Sequence, residues 1–89
     1  MRIERRSPTV FTPLDDGTGV LLNLDTLLYF SLNRTGAVLW QQIEEGKAAT
    51  LEDLVQIACS RFEIAEEEVR PFISEFAERL EHLKMIKLS

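Results

Sequence analysis

The sequence holds few of the residues that carry chemistry. Among its 89 residues there is one Cys, one His, one Trp and one Tyr. One cysteine cannot close an internal disulfide, which excludes the bridged secreted mini-protein class. One His and one Cys cannot furnish a four-ligand zinc site. The four glycines form neither GxGxxG nor GxxxxGK[ST], the two spacings that cradle phosphates. Asp15-Asp16 lacks the spaced oxygen ligands and closing Glu of a calcium loop. No apolar run approaches the ~18 residues of a membrane span, and no signal-type apolar stretch follows the charged start MRIERRSP. The expectation is a cytoplasmic chain without metal, cofactor or membrane partner.

No catalytic constellation can be assembled. Cys59 adjoins Ala58 in an apolar helical stripe and reads as a small packed hydrophobe. His82 stands near a helix end, where the dipole favours a cation. Glu66, Glu67 and Glu68 are sequential, so they cannot all face one substrate from a helix. The chain is therefore expected not to be an enzyme.

What is present is a foldable composition: 45% hydrophobic, 28% charged, net charge −5. The length fits a single domain over residues 1–89. A chain of this size buries only roughly 60–65% of its unfolded surface, too little to wall a deep pocket. A binding module is the expected class. Acids dominate the stretch 44–81, so sequence-independent attraction to nucleic acid has no electrostatic source.

The first third alternates with period two. Thr9–Thr12 is β-branched and aromatic, and Pro13 confines it to a strand end or an edge. Asp15–Gly19 is a turn cluster. Val20–Leu24 is the second strand, with Val20, Leu22 and Leu24 on one face and Leu21 and Asn23 on the other. Asp25-Thr26 would connect it to a third strand, Leu27–Leu32. There Leu28, Phe30 and Leu32 share one face, and Leu27, Tyr29 and Ser31 the other.

At Asn33 the pattern becomes helical. Asn33 suits an N-cap, Ala37, Leu39, Trp40 and Ile43 form the first apolar stripe, and Gly46 suits a stop. Thr50–Asp53 resembles a capping box and opens a second helix. The third begins after Ala65, with Ile64 and Val69 at the spacing of a hydrophobic staple. Pro71 leaves two versions: a bent helix from Glu66, or a regular one from Arg70. Val69, Phe72, Ile73, Phe76, Leu80 and Leu83 continue the stripe, and Met85–Leu88 closes as an extended segment. The predicted fold is α+β: a three-stranded antiparallel sheet followed by three helices, in winged helix-turn-helix outline. A DNA reader of that outline would send the third helix into the major groove N-terminus first. Here three glutamates occupy that end.

The third strand carries no charge and is apolar for an edge. An open edge offers unpaired N–H and C=O groups to which an extended peptide can add. With the third helix beside it, the edge would form an apolar-floored groove. The alternative is that this strand is central, or only packs the core.

The run Tyr29-Phe30-Ser31-Leu32-Asn33-Arg34-Thr35-Gly36-Ala37-Val38-Leu39-Trp40 resembles the Leu-Asn-x-Thr-Gly/Ala-Ala-x-Ile/Leu-Trp centre of PqqD-like proteins. Thr50-Leu51-Glu52-Asp53-Leu54 resembles their second helix start, and Phe72–Ile86 their last helix and its ending, with Lys84 or Met85 where glycine is usual. The resemblance spans about Val20 to Leu88. It implies a recognition element that binds the leader of a ribosomally made precursor peptide as an added strand. By matching positions, the binding residues would be Leu27, Leu28, Tyr29, Phe30 and Ser31, facing Val69, Phe72, Ile73, Phe76, Ala77 and Leu80. Tyr29 would be a rim contact, and Arg70 or Arg79 would meet acidic leader residues or pair with nearby Glu. Asp25-Thr26-Leu27-Leu28 replaces the Pro-Glu-Gly type segment of PQQ-pathway members. The resemblance is therefore closer to the stand-alone leader-binding protein of lasso-peptide pathways. That protein works with a separate cysteine-protease-like leader peptidase and a macrolactam-forming cyclase. A PQQ-pathway precursor chaperone, or a winged-helix protein-interaction domain, is the alternative.

Overall fold

The computed structural model describes residues 1–6 and 8–89. Among the described residues, five strands and three helices follow in order: β1 Ile3–Arg5, β2 Thr9–Pro13, β3 Gly19–Asn23, β4 Tyr29–Leu32, α1 Arg34–Glu44, α2 Leu51–Phe62, α3 Glu66–His82 and β5 Ile86–Leu88. The strands make two sheets. β2-β3-β4 is an antiparallel meander, and β1-β5 is an antiparallel pair. The predicted α+β order therefore holds, with an N-terminal strand and its partner added.

β1 is a strap. Ile3 pairs with Leu88 and Arg5 with Ile86. On the other side Ile3 N–H donates to Ala49 C=O (2.7 Å), and Leu51 N–H to Met1 C=O (3.1 Å). Ile3 is buried in the main core. The predicted closing segment is thus a true strand, β5. Its partner escapes pattern reading because two of its three residues are charged and exposed.

The alternation on β3 is as expected, but the inward face carries Leu21 and Asn23. Opposite them, Phe30 pairs with Leu21 and Leu32 with Gly19. Gly19 is required here: a Cβ would lie 2.3 Å from the Phe11 ring. The outward face holds Val20 and Leu22, with Tyr29 and Val10 on either side of Leu22. No residue of β2, β3 or β4 is charged.

The third strand is shorter than expected and starts at Tyr29. Leu27 and Leu28 belong to the hairpin loop. The Asn23 side-chain oxygen accepts from Asp25 N–H (2.9 Å) and Thr26 N–H (3.3 Å). Leu27 takes a left-handed conformation (φ 63°) and is 69% exposed. Local turn chemistry outweighs the apolar character of the pair.

The helix caps match their sequence signals. Asn33 Oδ1 accepts from Gly36 N–H at 2.7 Å. Thr50 and Asp53 exchange both bonds of a capping box. Ala65 caps α3 without a side-chain bond, behind Glu66–Glu68. α3 starts at Glu66 and continues through Pro71, so the start of the first version is the observed one. Proline has no N–H to donate to Glu67 C=O, and the exposure of both residues leaves that carbonyl to water. α1, α2 and α3 enclose Leu39, Trp40, Leu54, Ile73 and Leu80 with the sheet residue Leu21, all essentially inaccessible. After α3, Lys84 sits at φ 58°. This left-handed turn is a conformation that glycine adopts without strain after a helix.

Candidate functional site

α3 lies beside β4 and leaves a cleft of about 330 Å³ between them. The helix runs antiparallel to the strand. Arg79 Cζ stands 5.8 Å from the Phe30 ring centroid. Phe76 faces Phe30 at 6.4 Å, tilted by 40°. Phe72 stacks on Phe76 at 6.0 Å, one turn further along. Leu32, Asn33 and Gly36 form the strand-side wall. A Cβ on Gly36 would come within 3.3–3.4 Å of Asn33 Oδ1, Leu32 and Phe76, so glycine keeps this wall low. Phe72 also borders a second hollow with Ala58, Ile64 and Val69. The apolar surface therefore continues beyond the end of β4.

The hydrogen-bond phase of the meander fixes which backbone groups face the cleft. Leu24 N–H donates to Pro8 C=O (3.1 Å), and Leu14 N–H to Thr18 C=O (2.9 Å). Asn23 N–H donates to Leu28 C=O (2.9 Å). Even-numbered positions of β3 therefore bond to β2, and odd-numbered positions to β4. Antiparallel pairs alternate strictly, so Phe30 and Leu32 turn their polar groups to β3. Tyr29 and Ser31 turn theirs to the open edge.

Of the expected strand residues, Tyr29, Phe30 and Ser31 are on this edge, while Leu27 and Leu28 are in the loop. The Tyr29 side chain lies on the outer face of the sheet, so it does not sit on the groove. Of the helix residues, Phe72 (38% exposed) and Phe76 line the cleft. Val69 borders the second hollow. Ile73, Ala77 and Leu80 are buried in the core and face away from the cleft. The apolar stripe of α3 is the core contact, and the cleft wall is the strip beside it: Phe72, Glu75, Phe76 and Arg79. Leu32, Asn33, Gly36 and Glu75 line the cleft as well, outside the expected set. The i, i+3, i+4, i+7 recurrence of positions 72, 75, 76 and 79 is the signal that joins the helical group.

The two arginines part company. Arg70 donates to both oxygens of Glu52 and to Glu66. Hydrogen bonding to Arg70 lowers the Glu52 pKa, and Glu52 and Glu66 raise that of Arg70. Arg79 forms no ion pair among the described residues and rests on Phe30 at the cleft mouth. Cys59 and His82 are on different helices. Among the described residues no three His, Cys, Asp or Glu side chains are grouped to hold a metal. No helix is long and apolar enough to cross a membrane.

Comparison with known proteins bears on the same elements. No curated protein matches the chain. Two solved structures share its fold. One is TbiB1 in complex with the TbiA(beta) leader peptide, with TM-score 0.84, 24% identity and coverage of 97% of this chain and 96% of that one. The other is lasso peptide synthetase B1 complexed with the leader peptide, with TM-score 0.79, 23% identity and coverage of 99% and 100%. The sequence pattern of the family described as coenzyme PQQ synthesis protein D (PqqD) matches residues 18–86, a stretch that contains both walls of the cleft. The chain belongs to the PqqD family.

Proposed function

We propose that the chain binds the leader segment of a ribosomally synthesised precursor peptide as a fourth strand on β4. It then presents that peptide to a separate leader peptidase in lasso-peptide maturation, with no catalytic step of its own. The observation that carries this reading is the pair of outward-facing backbone positions, Tyr29 and Ser31, beside a cleft lined by aromatic rings. Membership of the PqqD family and the leader peptides held by both structural neighbours support it. The setting is the cytoplasm, where a ribosomal precursor is made.

The energetics assign different tasks to backbone and side chains. Ordering a disordered leader costs ~2–5 kcal/mol. The short β4 edge offers a few hydrogen bonds worth ~1 kcal/mol each, which only offsets that cost. Each apolar side chain seated against Phe30, Phe72 and Phe76 contributes ~1.5–3 kcal/mol. Affinity and selectivity therefore come from the cleft, and register from the edge. Arg79 adds a cation at the mouth suited to an acidic leader residue.

Presentation needs a second surface. The uncharged outer face of the sheet, with Val10, Leu22 and Tyr29 in one cross-strand row, adjoins the peptide-binding edge. A peptidase docked there would lie against the added strand itself. The description of the matching family keeps a PQQ-pathway precursor as the second reading. Titrating the 15N-labelled chain with synthetic leaders of a lasso precursor and of a PQQ precursor tests both. Saturable shifts confined to Tyr29–Ser31 and Phe72–Arg79 with the lasso leader are the expected result. Binding of neither peptide ends the proposal.

A further inference from the structure

Asn23 is 2% exposed and makes six hydrogen bonds. Its backbone N–H donates to Leu28 C=O (2.9 Å), and its C=O accepts from Leu27 N–H (2.7 Å). Its Oδ1 accepts from Asp25 and Thr26 N–H. Its Nδ2 donates to Leu83 C=O (3.1 Å) and Lys84 C=O (3.2 Å). The first four bonds shape the hairpin that carries β4. The last two reach some sixty residues along the chain to Leu83, the C-cap of α3, and Lys84 just beyond it, whose carbonyls have no partner within the helix. Among the described residues, these two are the only hydrogen bonds between residues 8–33 and residues 65–89. Otherwise β4 and α3 meet through side chains, chiefly Phe30 against Phe76 and Arg79.

We infer that Asn23 is the positioning residue of the cleft: its amide ties the β4 hairpin to the turn that closes α3 and so sets the separation of the two walls. The inference rests on the peptide-binding reading for its consequence, but its geometry stands apart from that reading. The tie is at the Arg79 end of the cleft. Gly36 and Phe72 mark the far end, which no polar bond spans. Loss of the amide donors leaves two carbonyls facing an acceptor or a void, and the two walls are then held to each other by side-chain packing alone. Aromatic packing is tolerant of shifts of an ångström or so, and such looseness costs a recognition site much of its affinity.

Asn23→Asp separates the two halves of the node. It keeps an oxygen for Asp25 and Thr26 N–H and replaces the donor facing α3 by an acceptor. The full-length variant is compared with the parent chain by Phe30–Phe76 ring NOEs, then by titration with the synthetic lasso leader. The expected result is parental amide shifts in α1 and α2, weakened ring NOEs, and a Kd raised on the order of tenfold. A purely structural role would lower Tm and leave the NOEs and the Kd of the folded fraction unchanged, and that result overturns the inference. If Asn23→Asp does not fold, Asn23→Ser gives the same readouts, because its hydroxyl reaches the loop N–H but not the α3 carbonyls. If the parent chain binds no leader, the peptide reading fails while the NOEs still decide whether Asn23 holds the walls.

Discussion

The three-stranded sheet has two outer edges, and they are built to opposite ends. On β2, the residues whose polar groups face outward are Thr9, Phe11 and Pro13. Thr9 N–H already donates to Arg6 C=O (3.3 Å), and Thr9 C=O accepts from the Arg5 guanidinium (2.6 Å). Pro13 has no N–H, which leaves Phe11 as the one outward donor. On β4, Tyr29 and Ser31 both keep their donors and acceptors, and α3 supplies a ring-lined wall. An exposed edge invites unwanted pairing. Here one edge is blunted by an arginine and a proline, while the other stays open where a cleft can select what pairs with it.

Replacing Ser31 by proline should have the largest effect on this contrast. The missing N–H points outward, so the ladder to β3 survives, as proline at a sheet edge allows. The lasso leader is expected to bind more than roughly tenfold more weakly, measured by calorimetry, with the fold retained by circular dichroism. Unchanged affinity would show that strand addition is not the binding mode. Phe72→Ala comes next. It should weaken binding roughly fivefold by removing a cleft ring, and its partial exposure predicts a smaller loss of Tm than any core truncation.

Arg5→Ala tests the guarded edge. It frees Thr9 C=O and removes an ion pair to Glu44 (3.6 Å). Leader affinity should stay within about twofold and stability fall by ~1 kcal/mol. Leader-induced shifts at Phe11 in this variant would mean that Arg5 alone distinguishes the edges. The smallest effect is on acid sensitivity. Asp53 accepts from Ala49 N–H (2.9 Å) and Thr50 N–H (3.1 Å), which holds its pKa below the usual value. These loop residues brace β1, the strand that carries Arg5. A depressed folded-state pKa gives stability that is complete above about pH 4 and lost as pH falls through the folded value. Urea midpoints taken from about pH 5 to about pH 3 should therefore fall less in Asp53→Asn than in the parent.

Features with local causes were legible in the sequence. Asn33 and Thr50 announce their helices because a cap needs only its next three residues, and the meander follows from period-two alternation. Features decided at a distance were not. β1 is three residues long, and its partner lies at the other end of the chain. The inward side of β3 carries the polar Asn23 beside the apolar Leu21, because its amide bonds to carbonyls some sixty residues away. Leu27 and Leu28 read as strand because they are apolar, yet the Asn23 side-chain oxygen curls the preceding residues into a turn. On α3, one apolar stripe looked like both core and binding wall. Only the position of β4 separates Ile73, Ala77 and Leu80 from Phe72 and Phe76.

Arg2 N–H donates to Ser89 C=O (2.8 Å), and Ser89 N–H donates back to Arg2 C=O (3.1 Å). Residues 2 and 89 are thus clasped side by side. A short peptide bridge could join them without moving either, and the resulting ring could be reopened at the exposed Asp15–Gly17 bend. Such a circular permutant is designed to keep the strand pairings while giving the polypeptide new ends, from which a partner protein could be tethered.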